Sequence, residues 1–291
     1  MNFFETLLNG LSAGGTYAMI ALGYTMVYGI AKMLNFAHGD VIMVGGYTLY
    51  AAAILGGINP IIALVLAVIC CSLLGITIEK LAYKPLRGAS PLAVLITAIG
   101  MSYLLQSVAQ MTFGSADRMV RLFDLGRVSI GSIQVSMYTI ITLSCSVVIM
   151  LALTLFVKFT RVGRAMIAVS EDKSAAQLMG INVNFIITIT FAIGSALAAF
   201  AGFFMVLKSP PVNSTLGAMP GIKAFTAAVI GGIGSIPGAM LGGVLMGVVE
   251  SFAQTNPAVA PYTVAIEFSI LIVILLVRPS GILGKKRREK V

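Results

Sequence analysis

The sequence predicts an all-α, polytopic integral membrane protein with about eight to ten membrane segments, one of them interrupted or re-entrant near 220–238. Three observations carry this expectation. The 291 residues are 58% hydrophobic and 10% charged, with a mean hydropathy of +1.01, whereas soluble domains carry about 25% charged residues. Apolar runs of about 20 residues, the helix length a bilayer core requires, recur from end to end. Among them sits one long polar stretch, Lys158–Asn184, in a chain whose other loops are mostly as long as a turn demands.

In chain order, the apolar runs place spans at 9–30, 38–57, 60–82, 91–112, 136–157, 185–207, 220–234, 237–253 and 261–277. The N-terminal MNFFETLLNG has no basic leader or cleavage-like site, so no removed signal peptide is expected. Thirteen of the 19 basic residues fall in Lys80–Arg87, Lys158–Lys173 and Arg278–Lys290. The positive-inside rule assigns these segments to the cytoplasm, with the N-terminus and Phe113–Val135 outside. The net charge of +9 therefore reports topology and gives no reason to expect nucleic acid. Arg118, Arg121 and Arg127 depart from the rule in a loop long enough to fold on the outer surface.

Two places look irregular. Between the first two spans, AKMLNFAHGD gathers Lys32, Asn35, His38 and Asp40. Later, Pro220–Gly234 runs into GGIGSIPG; a 15-residue helix rises only about 22 Å against a core of about 30 Å. A segment that stops partway or re-enters fits this length, with a tilted ordinary span as the alternative. Non-helical backbone at membrane depth survives only against protein or a water-filled cavity, and in transporters it points to the substrate route. Asn35, His38, Asp40, Gly232, Gly234, Ser235 and Pro237 are therefore candidates for a translocation path. A weak internal echo joins GDVIMVGGYTLY to GSIPGAMLGGVLMG.

Glycines at 10 and 14, at 234, 238 and 242, and at 243 and 247 recur every four residues. That spacing puts small residues on one helix face for close packing, within the subunit or between two subunits. Intramembrane charges invite a functional reading. Glu267 in the last span can pair with Lys223, as can Glu250, or it can meet a substrate ammonium.

Within Lys158–Asn184, Ser170 reads as an N-cap with Glu171 and Asp172 in the first turn and Gly180 as the stop. The result is a helix of about nine residues. Ala175, Ala176, Leu178 and Met179 give it an apolar face with no membrane to cover it, so a soluble partner is expected to dock there. Arg161 and Arg164 bracket Gly163's turn and are candidates to pair with acidic groups.

Enzyme signals fail. GLSAG at Gly10–Gly14 matches a nucleophile-elbow spacing but lies in a membrane helix. His38 is the sole histidine and reads as a turn residue; Cys70, Cys71 and Cys145 lack ligand spacing. With no P-loop, the chain cannot itself bind ATP that way, and no catalytic residue, cofactor or metal is expected.

YAMIALGYTMVYGIAKMLNFAHGDVIMVGGY, GRAMIAVSEDKSAAQLMGINV, GIKAFTAAVIGGIGSIPGAMLGG and VRPSGILG resemble the permease of bacterial high-affinity branched-chain amino acid ABC importers, the first of its two paired permease subunits. The resemblance spans nearly the whole chain and implies one transmembrane permease domain over 1–291 in the bacterial inner membrane, with a basic cytoplasmic tail at 278–291. It implies a second homologous permease, two cytoplasmic ATPase subunits and a periplasmic or surface amino-acid-binding protein as partners. It also implies that Gly163–Asn182 is the coupling segment, so that Arg161, Gly163, Arg164, Glu171, Asp172, Ala175, Ala176 and Gly180 meet the ATPase. Leucine, isoleucine and valine are the expected substrates, with urea or short-chain amides next; a stand-alone secondary transporter is the competing class.

Overall fold

The computed structural model describes residues 3–130 and 133–284; the expected basic tail KKRREK lies outside the described residues. Helix α1 (Phe3–Ala31) has 29 residues, about 43 Å of rise. It is rich in Gly, Ser, Thr and Tyr because it packs against other helices along most of its length. Helices α2 (His38–Leu49), α3 (Pro60–Ile78) and α4 (Pro91–Phe113) follow. π-Helical turns extend α2 through Tyr50–Leu55 and α3 through Glu79–Tyr83. Asn59 and Ser90 cap α3 and α4, each with Pro at the first helical position, where its missing N–H costs nothing.

The 113–136 loop folds on one end of the bundle. Strand β1 (Arg118–Met119) pairs with β4 (Pro211–Val212), and β2 (Arg127–Ile130) with β3 (Ile133–Ser136). Then come α5 (Met137–Phe159), α6 (Arg161–Glu171), α7 (Lys173–Leu178), α8 (Val183–Lys208), α9 (Ala218–Gly231), α10 (Ile236–Thr255) and α11 (Thr263–Val277). Among the described residues, six helical segments are long and apolar enough to cross a membrane by length and composition.

The bundle has two chemically distinct ends. Lys84–Ser90, Thr160–Asn182, the 232–235 turn and the 278–284 segment share a basic end. The β-strands, Glu5 and the α10–α11 connection share the far end, where the Gln134 N–H donates to Glu5 Oε1 at 3.0 Å. Helices α1 and α10 run antiparallel between them: Thr6 meets Thr255, and Gly29 lies beside Gly234.

The four-residue glycine spacing is used on two faces of α10. Gly243 and Gly247 press on the α1 backbone at Ala18 and Gly14, while Gly238 and Gly242 press on α9 at Gly231 and Ala227. The glycine faces thus pack within the chain, where any Cβ would collide with backbone.

The irregular segments resolve into two half-helices. After α1 ends at Ala31, Lys32 takes φ 61°, the sole non-glycine residue with positive φ among those described. Residues 32–37 then turn back beside the bundle. His38 packs against Gly23, about 12 Å from the end of α1, so α2 starts at depth and runs to the far end. Helix α9 mirrors it: residues 213–217 enter from the far end, Gly217 touches Gly39, and α9 runs to the basic end. The expected short span at 220–234 is therefore Ala218–Gly231, and it begins inside the bundle. Its structural counterpart is α2. The echo between the α2 and α10 sequences does not correspond to a repeat, because Ser235 opens α10 as an ordinary capped helix at the basic end.

Candidate functional site

The polar stretch 158–184 forms two helices where the sequence suggested one. Thr160 caps α6, its Oγ1 accepting from Gly163 N, and Asp172 caps α7, accepting from the N–H groups of Ser174 and Ala175. Ser170 is not an N-cap; it lies within α6, its hydroxyl donating to Ile167 O at 2.7 Å. The carboxylate of Asp172 outcompetes it because its geometry satisfies two orphan N–H groups at once. Gly180 ends α7 at φ 79°, as expected of a helix stop.

Gly163 is buried against α5, where a Cβ would strike the backbone of Phe156 and Val157. Ala176 is buried in the core, whereas Ala175 and Glu171 are exposed and Leu178 and Met179 are 89% and 83% exposed. Arg161 and Arg164 are exposed, and neither makes an ion pair among the described residues, which leaves both open to acidic groups outside this chain. The loop is thus fixed on its inner side and leaves a bare apolar tip.

Two polar ties hold it that the sequence reading missed. The Lys173 ammonium donates to Ala31 O at 2.8 Å, the last helical carbonyl of α1. Burial, reinforced by the nearby Arg87 guanidinium, lowers its pKa below the usual lysine range. Arg87 itself binds Asn184, at the start of α8, and the fully buried Glu79, which also accepts from Thr188 Oγ1 at 2.8 Å. The eight-residue spacing of Glu79 and Arg87 gives no periodic signal across a π turn and a proline, so this pair was not legible.

The candidate path residues do not form one cluster. Asn35 accepts from Tyr83 Oη at 2.9 Å, and Asp40 accepts from Gln106 Nε2 at 2.8 Å. His38 stacks edgewise on Tyr24 with centroids 4.8 Å apart. Gly232, Gly234 and Ser235 form the α9–α10 turn at the basic end, where Gly232 and Gly234 take φ of 107° and 94°, and Pro237 sits in the first turn of α10. The Ile282 and Leu283 N–H groups cap the last carbonyls of α9 beside that turn.

Towards the far end, Lys223 Nζ lies 2.6 Å from Glu250 Oε1 and 3.2 Å from Glu267 Oε1. The sequence offered either carboxylate as its partner; both bind it. Glu267 is 1% exposed, and its Oε2 has no hydrogen-bond partner among the described residues. A cavity of about 310 Å³ at the far end is bordered by Arg121, Asp124, Tyr138 and Leu207. A smaller one of about 80 Å³ at the basic end lies between Thr25, Met166 and Gly234.

Such a bundle, with half-helices meeting at depth and a structured polar loop on one end, defines a multi-pass helical membrane permease. The chain belongs to the family of branched-chain amino acid transport system permease components, whose profile matches residues 6–275. It is 43% identical to the high-affinity branched-chain amino acid transport system permease protein BraD of Pseudomonas aeruginosa, covering 100% of this chain and 98% of that one. It is 44% identical to the corresponding protein LivH of Salmonella typhimurium, covering 99% and 98%. Among solved structures, PsaBC from Streptococcus pneumoniae in complex with Fab aligns at a TM-score of 0.49 and 18% identity, covering 96% of this chain and 94% of that one.

Proposed function

We propose that this chain, as one permease domain over 1–291, is a membrane-spanning subunit of an ATP-driven importer for leucine, isoleucine and valine. Its basic end faces the bacterial cytoplasm and its far end receives substrate from a periplasmic or surface amino-acid-binding protein. A second homologous permease completes the membrane part, and two ATPase subunits, which alone hydrolyse ATP, dock on the loop between α5 and α8.

The observation that carries this reading is the tip of α7. A short helix anchored through buried Ala176 and capped by Asp172 nonetheless leaves Leu178 and Met179 bare. Apolar side chains held rigidly in water at the end of a structured loop fit a protein partner. Glu171, Ala175 and Gly180 border the same surface, with Arg161 and Arg164 on its α6 flank. Family membership supplies the substrate class.

On this reading the path residues divide by role. Asn35, His38, Asp40 and Gly232 are buried and brace the half-helices, whereas Gly234, Ser235 and Pro237 lie at the more open α9–α10 turn and the start of α10. Glu267, with its unmatched oxygen, is the group suited to a passing ammonium. Purification of the tagged chain from native membranes in mild detergent tests the assembly. Two ATPases and a second permease are expected to co-purify; a homo-oligomer without ATPase would refute the reading. Competition of labelled leucine uptake by urea or acetamide separates the substrate classes.

A further inference from the structure

We infer that Lys173 is a positioning residue that transmits movement of α7 to the hinge at Lys32, so that residues 32–37 and α2 follow the docking loop. This inference rests on the proposed docking of ATPases at α7.

The chain of contacts is short and continuous. Lys173 is the first residue of α7, five residues before the exposed tip at Leu178. Its ammonium reaches out of the loop to Ala31 O, 142 residues away in sequence. That oxygen belongs to the last turn of α1, at the negative end of the helix dipole; Lys32 N–H satisfies Tyr28 O and the Lys32 ammonium Gly29 O, and Lys173 serves Ala31 O. A cation is the favoured partner there, and partial burial strengthens the attraction by excluding water. The next residue, Lys32, holds the left-handed backbone that reverses the chain, a conformation uncommon for a side chain with a Cβ. From that point the non-helical stretch 32–37 leads to His38, locked against Gly23 and Tyr24, and on to the start of α2.

The other side of the loop is built differently. Helix α6 is pinned on α5 through Gly163, and Asn184 is fixed through Arg87 to buried Glu79. These contacts hold the base of the loop to α5, α3 and α8. Lys173 instead joins the free-tipped helix to the place where α1 becomes irregular. A rigid lever tied to a hinge moves the hinge; a lever tied only to packed helices would spread its displacement over the whole bundle.

The test uses the complete complex in proteoliposomes, with the binding protein and labelled leucine, comparing Lys173→Met and Lys173→Arg with the parent. Lys173→Met keeps the chain's length and apolar stem but removes the donor; Lys173→Arg keeps a donor and the charge. The expected result for Lys173→Met is a fall in leucine uptake of about ten-fold, the scale on which coupling residues act, with ATP hydrolysis still stimulated by the binding protein. Lys173→Arg is expected to recover most uptake. Parallel loss of uptake and hydrolysis in an intact complex, or no change in either, would overturn the inference. So would loss of the ATPases from the Lys173→Met complex alone, which would make Lys173 a docking residue. If Lys173→Met does not fold, Lys173→Leu, which also lacks a donor, is read by the same outcomes. Absence of ATPase from the parent complex would instead remove the docking reading itself, and this inference with it.

Discussion

Gly39 and Gly217 meet backbone to backbone inside the bundle, where a Cβ on Gly217 would overlap the Gly39 carbonyl oxygen. The contact joins the starts of α2 and α9, two half-helices running in opposite directions from the same depth. Neither N-cap, Ala37 or Gly217, makes a side-chain capping bond. Both starts are therefore held by the surrounding protein, which is how non-helical backbone persists at membrane depth.

Gly217→Ala is expected to force the half-helices apart. Overpacking costs about 1–3 kcal/mol where side chains can shift, and here the obstacle is backbone, so the upper part of that range applies. Gly100→Ala is the matched control, since a Cβ there meets nothing within 4 Å. Thermal unfolding in detergent should show a lower midpoint for the first variant and none for the second. Equal midpoints would mean that the two segments are not in contact.

The triad of Lys223, Glu250 and Glu267 makes a second prediction. Removing the shared cation with Lys223→Met strands two carboxylates away from water, which costs about 3–5 kcal/mol for a buried pair. Adding Glu250→Gln and Glu267→Gln should restore much of the lost stability, because neutral amides need no counter-charge. Unfolding midpoints of the single and triple variants decide this; a triple variant no more stable than Lys223→Met would show that packing, not charge, holds α9 to α10 and α11.

Glu267→Gln alone separates structure from transport. It keeps the side chain's shape and leaves the 2.6 Å Lys223–Glu250 pair in place, so the unfolding midpoint should change little. If Glu267 meets the substrate ammonium, leucine uptake falls about ten-fold, as for loss of a charge-assisted bond of about 1.5–3 kcal/mol. Full uptake would leave Glu267 as a partner of Lys223 and nothing more.

The sequence disclosed the helices more fully than their depth. Hydropathy located α3, α4, α5, α8, α10 and α11 within a few residues, because each carries an unbroken apolar run. It could not show that α2 begins beside Gly23, since the burial of His38 depends on a glycine fifteen residues earlier in the chain. The loop's stop at Gly180 was legible from local backbone chemistry, but Ser170 and Asp172 are both good caps, and only the break between α6 and α7 chooses between them. The ties from Lys173 to Ala31 and from Arg87 to Glu79 and Asn184 join residues with no periodic relation, so they became visible only in three dimensions.

The tip and base of the loop should respond differently to substitution. Leu178→Glu and Met179→Glu lie on a bare surface, so their effect on stability should stay within about 0.5 kcal/mol. Under the proposed assembly, however, they place charge where an apolar contact is buried, and ATPase should be lost on purification. Gly163→Val acts from beneath: its side chain cannot fit against Phe156 and Val157, so α6 must lift from α5 and carry α7 with it. That variant should lose both thermal stability and bound ATPase. Retention of ATPase by the Leu178 and Met179 variants would remove the tip as the docking surface. Loss from the Gly163 variant alone would instead place the contact along α6, where Arg161 and Arg164 face solvent.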